Sequence, residues 1–400
     1  MWIVNLLRLS LLIAIYFINQ TNIKIDENAL QSNNLNLKFN NNYVKVSDNY
    51  SNNLETLDFI NYSDFIYDTL YQNNLEAHHY KSSIYTTLKA PKSSNKEAIL
   101  IHSPFTSQLD SDFSLKYDNS NVVNVRAIST LLSLLKYFNS QSIWSKDLLF
   151  FFGDDLDTFL YDYMNGHINS IPKNNIWLGY TLDYPSDSFS HLEINYVHPL
   201  IQPNFDVIAS LYSIARHNNI EIRSPALLET YKQSIMGNTT SNYHSTMLNY
   251  KIDAITINCI PNNGPHGFLS LGRLLEGYTR SFNNLIERLH ASLSFYLFFD
   301  NKLIKLSDYI PIIIIASLIN IIQAFEKFEI SSKDAITITI VGYVTNTFLN
   351  PQISIILSTF ILRFITNRTS YKLLTTMIMT YTSLYNFYVS LSVALISTLI

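Results

Sequence analysis

The stretch that decides the fold is DLLFFF, Asp147–Phe152, a short apolar run bounded by polar residues. Its consecutive large side chains leave no polar face, so a strand made of them is buried on both sides. EAILIHS, Glu97–Ser103, has the same character. Between the two lies NVRAISTLLSLLKYF, which begins at Asn124 and repeats its apolar residues at helical spacing. This order predicts a strand, a helix and a parallel strand.

Further segments continue the alternation. IWLGYTLD (Ile176–Asp183), HLEINYV (His191–Val197) and LNYKIDAITINCI predict strands, and FDVIASLYSIA (Phe205–Ala215) predicts a helix. We therefore expect an α/β domain with a mainly parallel sheet and no internal repeat of fixed period. The Asn-rich stretch from Gln31 to Asn53 is expected to be a polar, weakly structured connector.

Composition narrows the class of protein. Charged residues make up 14% of the 400-residue chain, against a typical value of about 25%, and the mean hydropathy is +0.08. Both values indicate a chain that lies partly in lipid. A net charge of -4 gives no electrostatic signature for nucleic-acid binding. The single cysteine, Cys259, excludes an intrachain disulfide and a cysteine-based zinc cluster, and its apolar context predicts a buried structural thiol.

Apolar segments lie at both ends of the chain. Trp2–Ile18 predicts an uncleaved membrane anchor, and Arg8 near its start favours a cytosolic N-terminus. Four C-terminal apolar runs predict a transmembrane bundle of about four helices: Tyr309–Phe325, Ala335–Leu349, Ile353–Ile365 and Leu373–Ile400. The block between the two ends would then lie in the lumen of the secretory pathway. Glycosylation sequons at Asn49, Asn61 and Asn238 agree with this placement.

A linker helix is predicted where the lumenal block meets the membrane segments, in GRLLEGYTRSFNNLIERLHASLSFYLFF, Gly272–Phe299. One apolar stripe recurs at spacings of three and four: Leu274, Leu275, Tyr278, Phe282, Leu285, Ile286, Leu289 and Leu293. Charged residues occupy the other faces: Arg273, Glu276, Arg280, Glu287 and Arg288. The polar face disappears after Ala291, so we expect this end to enter the bilayer interface, a zone that suits Tyr278, Tyr296 and Tyr309. For Tyr278, packing in the protein with a solvated hydroxyl is the alternative.

The expected domains follow from these segments. They are an anchor at 1–20, a lumenal domain at 21–270, the linker helix at 271–300 and transmembrane helices at 301–400.

Acidic residues and histidines fall at the carboxyl ends of the predicted strands, where chemistry usually gathers in such sheets. They are His102, Asp154, Asp155, Asp183 and His244. A metallohydrolase would use these residue types to hold a metal and activate water. Helix capping by Asp154 or Asp155 and a turn at Asp183 are the alternatives. A glycine-rich phosphate loop, a G-x-S-x-G elbow and an H-E-x-x-H helix are absent from the sequence.

The linker segment resembles the one that joins the lumenal domain to the membrane in the Gaa-type subunit of glycosylphosphatidylinositol (GPI) transamidase. The resemblance rests on Glu276-Gly277, Arg280-Ser281, Asn283-Asn284, IERLH and FYL in one register. DENAL (Asp26–Leu30), IYTTLKAPK (Ile84–Lys92) and IWSKDLLFFFGDD (Ile143–Asp155) extend it over about Asp26 to Asp300. It implies a lumenal domain similar to a zinc aminopeptidase.

The resemblance also implies a degenerate site. Val123 stands where the aminopeptidase pattern has a bridging Asp, and Asp154-Asp155 replaces a Glu pair. Asp183 and His244 match ligand positions. We therefore expect Asp155, Asp183 and His244 to hold a structural divalent cation or none, without peptide cleavage.

The family implies a non-catalytic subunit of the GPI transamidase complex in the endoplasmic reticulum membrane. Such a subunit would hold the GPI lipid and the precursor protein near the caspase-like cysteine protease subunit. Two loops are expected to contact GPI, one through Lys24 and Asp26 and one through Asn262, Asn263 and His266. A membrane-anchored lumenal metallo-aminopeptidase is the alternative, and a transporter built on the C-terminal bundle is a third, lower-ranked possibility.

Overall fold

The computed structural model describes residues 25, 30, 37–93, 96–109, 117–118, 121–168, 175–198, 201–223, 225, 243–289, 296–299, 302–305 and 314–315. The helices within these ranges are α1 (Asn41–Thr56), α2 (Tyr62–Gln72), α3 (Val125–Asn139), α4 (Leu156–Asn165), α5 (Phe205–His217), α6 (Tyr243–Asn249) and α7 (Phe268–Asn283), with a 3-10 turn at Phe59–Asn61. The strands are β1 (Ala77–Tyr80), β2 (Ser83–Leu88), β3 (Glu97–Ser103), β4 (Tyr117–Asp118), β5 (Asn121–Val122), β6 (Asp147–Phe152), β7 (Asn175–Asp183), β8 (Phe189–Asn195), β9 (Ile222–Arg223), β10 (Asp253–Pro261), β11 (Tyr296–Phe299) and β12 (Lys302–Lys305).

One mixed sheet organises the domain, with strand order β1-β2-β6-β3-β7-β10-β8-β9. Its four central strands, β6, β3, β7 and β10, are parallel. β2 and β8 pair with this centre in the antiparallel sense, one on each side. The observed βαβ alternation confirms the α/β class. It also places the carboxyl ends of the central strands at one edge of the sheet and their amino ends at the other.

Both faces of the central strands are buried, as their solid apolar runs require. Alternate residues such as Phe150 and Tyr180 join a large core with residues of α3, α5 and α7. The intervening residues, such as Leu149 and Phe151, form a smaller core with residues of α4 and α6, including Met247. If polar residues occupied alternate positions of these strands, the helices on one face of the sheet would have no apolar surface to pack against.

The N-terminal connector is the first correction to the sequence-based expectations. Residues 41–56, most of which lie within the stretch expected to be weakly structured, form α1, whose buried residues are Ser47, Ser51 and Leu54. Asn40 caps this helix by accepting the N–H of Asn42 at 3.0 Å. Ser47 donates to Ser133 of α3 at 2.5 Å. The buried stripe is short and mostly hydroxylated, so hydrophobic periodicity does not reveal it.

The linker helix is the second correction, because α7 ends at Asn283 instead of continuing to Phe299. Tyr296–Phe299 is a strand that pairs with Lys302–Lys305 in an antiparallel hairpin. Contacts from a distant segment hold the end of the helix. Ser145 donates its hydroxyl to the backbone carbonyl of Asn283 at 2.8 Å, and its own N–H donates to Oδ1 of Asn283 at 2.8 Å. Apolar residues continue at helical spacing after Leu285, but the helix does not, because tertiary contacts hold its end at Asn283.

Several side chains of the predicted linker helix are buried or exposed contrary to expectation. Glu276, assigned to the solvated side, is fully buried, whereas Ile286 of the apolar stripe is 90% exposed. Tyr278 and Tyr296, assigned to the bilayer interface, are buried in the protein. Their hydroxyls donate to the carbonyls of Val207 at 3.1 Å and Pro203 at 2.8 Å. Interior hydrogen bonds thus satisfy the polar tips of both rings.

Within the part of the chain that the structure describes, no helix combines the length and the apolar character needed to cross a bilayer. The predicted anchor at Trp2–Ile18 lies outside the described residues, and so do the four C-terminal apolar runs except for 314–315.

Candidate functional site at the carboxyl ends of the strands

The sheet face that packs on α4 and α6 becomes polar toward the carboxyl ends of the strands. His102 of β3, Thr181 of β7 and Thr256 of β10 are neighbours in register and form one polar row across the sheet. The next row includes Asp183 beside Asn258. The predicted gathering of polar side chains at this edge is therefore present.

Both histidines of this edge use their two ring nitrogens within the protein. His102 contacts the Thr181 hydroxyl at 3.0 Å and the Gly153 carbonyl at 2.9 Å. His244 contacts the Thr256 hydroxyl at 3.0 Å and, less closely, the Val197 carbonyl at 3.2 Å. Burial lowers the pKa of each histidine from 6.5 to about 4, so both are neutral at neutral pH. Neither ring directs a free nitrogen at an open site.

The carboxylate of Asp183 is fully buried and accepts two hydrogen bonds, from the Ser107 hydroxyl at 2.5 Å and the Gln108 N–H at 2.8 Å. Burial raises the pKa of Asp183 to about 6, although both hydrogen bonds act in the opposite direction. Asp154 lies close enough to contribute a small further increase. At neutral pH Asp183 is therefore a largely ionised group in an unfavourable environment.

The neighbouring acids have separate partners. Asp154 accepts the N–H groups of Phe105 at 3.0 Å and Thr106 at 3.3 Å, and the Tyr243 hydroxyl at 3.1 Å. Asp155 accepts the Ser82 hydroxyl at 2.9 Å. It occupies the N-cap position of α4, but its side chain makes no capping hydrogen bond. The structure thus groups Asp154 with Asp183 and directs Asp155 toward β2.

Asn124 is a site residue that the sequence-based reasoning missed. Its amide nitrogen donates to the carbonyls of Pro104 at 3.2 Å and Leu182 at 3.1 Å, while its oxygen accepts the N–H of Tyr184 at 2.8 Å. It therefore ties together the chain segments that follow β3 and β7. The neighbouring Val123 is fully buried and offers no ligand atom. The signal in the sequence is a lone amide within the otherwise apolar run VVNV.

The predicted metal ligands each contact a protein group. Throughout the described ranges, no group of three His, Cys, Asp or Glu side chains has a metal-binding arrangement. Asp155 accepts from Ser82, Asp183 from Ser107, and His244 contacts Thr256.

The predicted glycan-contact loop follows β10, at this same edge. Asn262 and Asn263 are exposed, and His266 is half-buried with its ring 5.3 Å from that of Phe189. Gly264 allows the close approach, because a Cβ there would lie 2.1 Å from the Phe189 carbonyl oxygen. Lys24 and Asp26 of the other predicted loop lie outside the described residues.

Comparison with known families shows the family of the chain. The family described as "Gaa1-like, GPI transamidase component" matches residues 81–400. The chain belongs to this family. Membership of the Gaa1-like family confirms the resemblance that the linker and the WSKD segment indicate.

Two fungal relatives of this Gaa1-like chain carry the same description. The GPI transamidase component GAA1 of Saccharomyces cerevisiae is 22% identical over 277 residues, which cover 63% of this chain and 43% of the relative. The component gaa1 of Schizosaccharomyces pombe is 27% identical over 268 residues, which cover 58% and 44%. The matched region therefore spans less than half the length of either relative.

Solved structures with a partial likeness to the Gaa1-like chain are peptidases and cyclases. The LapA aminopeptidase of Legionella pneumophila has a TM-score of 0.44 at 11% identity and covers 67% of this chain and 79% of its own. The glutaminyl cyclase of Porphyromonas gingivalis has a TM-score of 0.40 at 12% identity and covers 60% and 98%. At this distance the likeness carries no inference about activity.

Proposed function

We propose that this chain is a non-catalytic subunit of a GPI transamidase in the endoplasmic reticulum membrane. In this role it holds the GPI lipid and the precursor protein near the caspase-like cysteine protease subunit. Family membership and the descriptions of both fungal relatives support the assignment. The apolar C-terminal sequence supports a multi-pass membrane topology.

The hydrogen bonding at the carboxyl edge is the observation that carries the non-catalytic part of the proposal. A metallohydrolase needs ligand atoms that point at one open position where water can be activated. Here both histidine rings and the three acids are bound to protein groups on separate elements. These contacts favour a role for the carboxyl edge in holding the fold together, without a bound cation.

Cys259 is unsuitable as the nucleophile of a transamidation. The thiol is fully buried, and burial raises its pKa well above the ordinary value. The thiolate is the reactive form of cysteine, and reactive cysteines lie in partly exposed, electropositive environments. The proposal therefore gives the nucleophile to another subunit.

The position of the β10–α7 loop suggests which part of GPI it contacts. α7 begins beside this loop at the carboxyl edge of the sheet, where the parallel strands end. It ends beside Ser145 at the amino edge, where those strands begin. A helix of 16 residues is about 24 Å long. If the chain enters the membrane beyond the amino edge, Asn262, Asn263 and His266 lie far from the acyl chains. We propose that they contact the glycan, that Lys24 contacts a phosphate, and that Asp26 binds a hydroxyl or a cation.

Co-purification tests the proposed function. The tagged full chain is isolated in mild detergent, and its partners are identified by mass spectrometry beside those of an unrelated tagged multi-span protein of the same membrane. We expect a caspase-like cysteine protease with this chain and not with the control. Recovery of the folded chain with no such protease, under conditions that preserve other membrane complexes, would refute the assignment.

A further inference from the structure

We propose that the amino-terminal edge of the central sheet, with residues 284–289 lying across it, is a surface that rests on lipid. We call it the amino edge. This inference builds on the membrane placement in the proposed function and specifies which side of the lumenal domain faces the bilayer. It also replaces the expected interfacial helix, because α7 ends before that helix would reach lipid.

Two contacts place residues 284–289 along this edge. The ammonium of Lys146, which directly precedes β6, donates to the Leu285 carbonyl at 2.5 Å. The guanidinium of Arg288 donates to the carbonyl of Lys251, two residues before β10. The segment therefore crosses beneath the starts of the parallel strands, from β6 toward β10. Lys146 is itself held by Glu97 at 3.0 Å and lies 4.3 Å from the Trp177 ring centroid.

Apolar side chains project outward from this edge. Ile286 is 90% exposed, although its neighbour Leu285 is only 5% exposed. Ile143, whose carbonyl accepts from the Asn283 side chain at 3.3 Å, and Ile201 are partly exposed. Single exposed isoleucines are common on soluble proteins, so they would mean little in isolation. The three isoleucines near this edge give it apolar surface that contact with lipid would cover.

Charge distinguishes the two edges of the sheet. Exposed lysines occur at the amino edge, where Lys92 and Lys96 precede β3 and Lys251 precedes β10. Arg288 adds a further positive charge, and Glu287 is the exposed acid beside it. The carboxyl edge instead carries Asp154, Asp155, Asp157 and Asp187, with Lys81 among them and Arg126 paired with Asp187. Apolar side chains rimmed by basic ones match a phospholipid interface, where phosphates lie above the acyl chains.

The course of the chain favours lipid over a protein partner as the occupant. The next described segment after 289 is the hairpin of β11 and β12, whose Tyr296 hydroxyl donates to the Pro203 carbonyl at 2.8 Å. The next residue, Asn204, donates its N–H to the Asp253 carboxylate at the start of β10, so this part of the hairpin lies near the amino edge. The apolar run that starts at Tyr309 follows within a few residues. A segment that enters a bilayer there holds the amino edge close to its surface.

Depth-dependent quenching tests the proposal. In the full chain with Cys259→Ala, Ile286→Cys is labelled with an environment-sensitive fluorophore and reconstituted into phosphatidylcholine–phosphatidylinositol vesicles. Nitroxide-labelled phosphatidylcholine is then added. The matched control is Ile60→Cys, since Ile60 is 86% exposed and its neighbour Phe59 packs its ring 6.0 Å from that of Phe105, beyond the carboxyl end of β3. We expect the label at 286 to lose most of its fluorescence and the label at 60 to lose little.

Equal quenching at the two positions, or none at 286, would overturn the proposal. A blue-shifted label at 286 that nitroxide lipid does not quench would also overturn it, because that result indicates a protein partner. Flotation of the vesicles gives an independent reading of membrane insertion. A chain that floats without quenching at 286 contradicts only the orientation, whereas a chain that does not float contradicts the membrane placement in the proposed function.

Discussion

Glu276 accepts the backbone N–H of Phe39 at 2.8 Å, across 237 positions in the sequence. The same buried carboxylate accepts the Lys38 N–H at 2.9 Å, the Tyr137 hydroxyl at 2.6 Å and the Arg280 guanidinium at 3.2 Å. Phe39 lies so close to Gly272 that a Cβ at 272 would be 2.3 Å from its ring. α7 therefore holds the chain that arrives from the N-terminal segment, while its far end meets residues 145 and 146.

Removal of the Glu276 carboxylate should destabilise the domain. Glu276→Ala leaves two backbone N–H groups and the Tyr137 hydroxyl without their acceptor. Each unsatisfied buried group costs about 1–3 kcal/mol, so we expect a loss of roughly 3 kcal/mol or more in the free energy of unfolding. Thermal unfolding of the full chain in detergent measures it. Glu287→Ala is the exposed control, and equal melting temperatures for the two variants would contradict the role of Glu276.

Leu285 and Ile286 are neighbours just after α7, one buried and one exposed, so the same substitution at each tests the importance of burial there. Leu285→Asp places a charge where the side chain is 5% exposed, which should cost several kcal/mol, on the order of 3 or more. Recovery of the cysteine protease with the chain should fall accordingly. Ile286→Asp, at a 90% exposed position, should change unfolding in detergent by no more than about 0.5 kcal/mol. If both variants unfold alike, the burial of Leu285 does not hold this junction.

Acid should weaken the fold through its buried histidines. The pKa values of His102 and His244 are about 4 in the folded protein, against 6.5 ordinarily. As pH falls from 6.5 toward 4, the unfolded chain binds protons that the folded chain does not, so stability falls with pH. At about 1.4 kcal/mol per pKa unit, each histidine contributes a loss of about 3 kcal/mol.

Asp183 acts in the opposite sense over the same range. Its folded pKa of about 6 lies above the ordinary 3.8, so below pH 6 the folded chain binds the proton first and gains stability. Asp183→Asn removes this gain. Relative to wild type, the variant should lose about 3 kcal/mol between pH 7 and pH 4. Thermal unfolding in detergent at both pH values gives the difference, and a constant difference would show that Asp183 has an ordinary pKa.

Cys259 should resist modification while the chain is folded. Its burial and raised pKa keep the thiol both inaccessible and protonated. We expect N-ethylmaleimide to label Cys259 only after denaturation, as read by intact-protein mass spectrometry. Cys259→Ala should leave GPI attachment near the wild-type level. Rapid labelling of the folded chain would contradict the buried environment.

The buried strands could be predicted from sequence because they carry their own signal. The bounds of β3 and β6 coincide with Glu97–Ser103 and Asp147–Phe152. The end of α7 had no such signal, since apolar residues continue at helical spacing to Leu293. The end of the helix instead contacts Ser145, more than 100 residues earlier in the chain. The burial of Glu276 could not be predicted either, because Lys38, Phe39 and Tyr137, which bind its carboxylate, are distant in sequence.

The candidate site was predictable in place but not in detail. The types of residue at strand ends indicated where polar side chains gather, and the structure confirms that edge. Their partners are backbone groups of loops, such as the Gly153 carbonyl for His102 and the Gln108 N–H for Asp183. Hydrogen bonds to backbone atoms depend on loop geometry and leave no pattern of residue types, so the contacts of the histidines could not be predicted. The lone amide in VVNV is the one signal that pointed to Asn124.

Attachment of GPI to a reporter precursor, in microsomes from cells in which each variant replaces the endogenous subunit, tests the central claim most directly. The combined change Asp154→Asn and Asp183→Asn alters the carboxyl edge without removing its bulk, and Glu276→Ala alters the attachment of α7. The non-catalytic account predicts that the double variant retains attachment close to wild type, while Glu276→Ala loses the cysteine protease and attachment together. A loss above about tenfold, or 1.4 kcal/mol in barrier, in a double variant that still folds and retains the cysteine protease would contradict it.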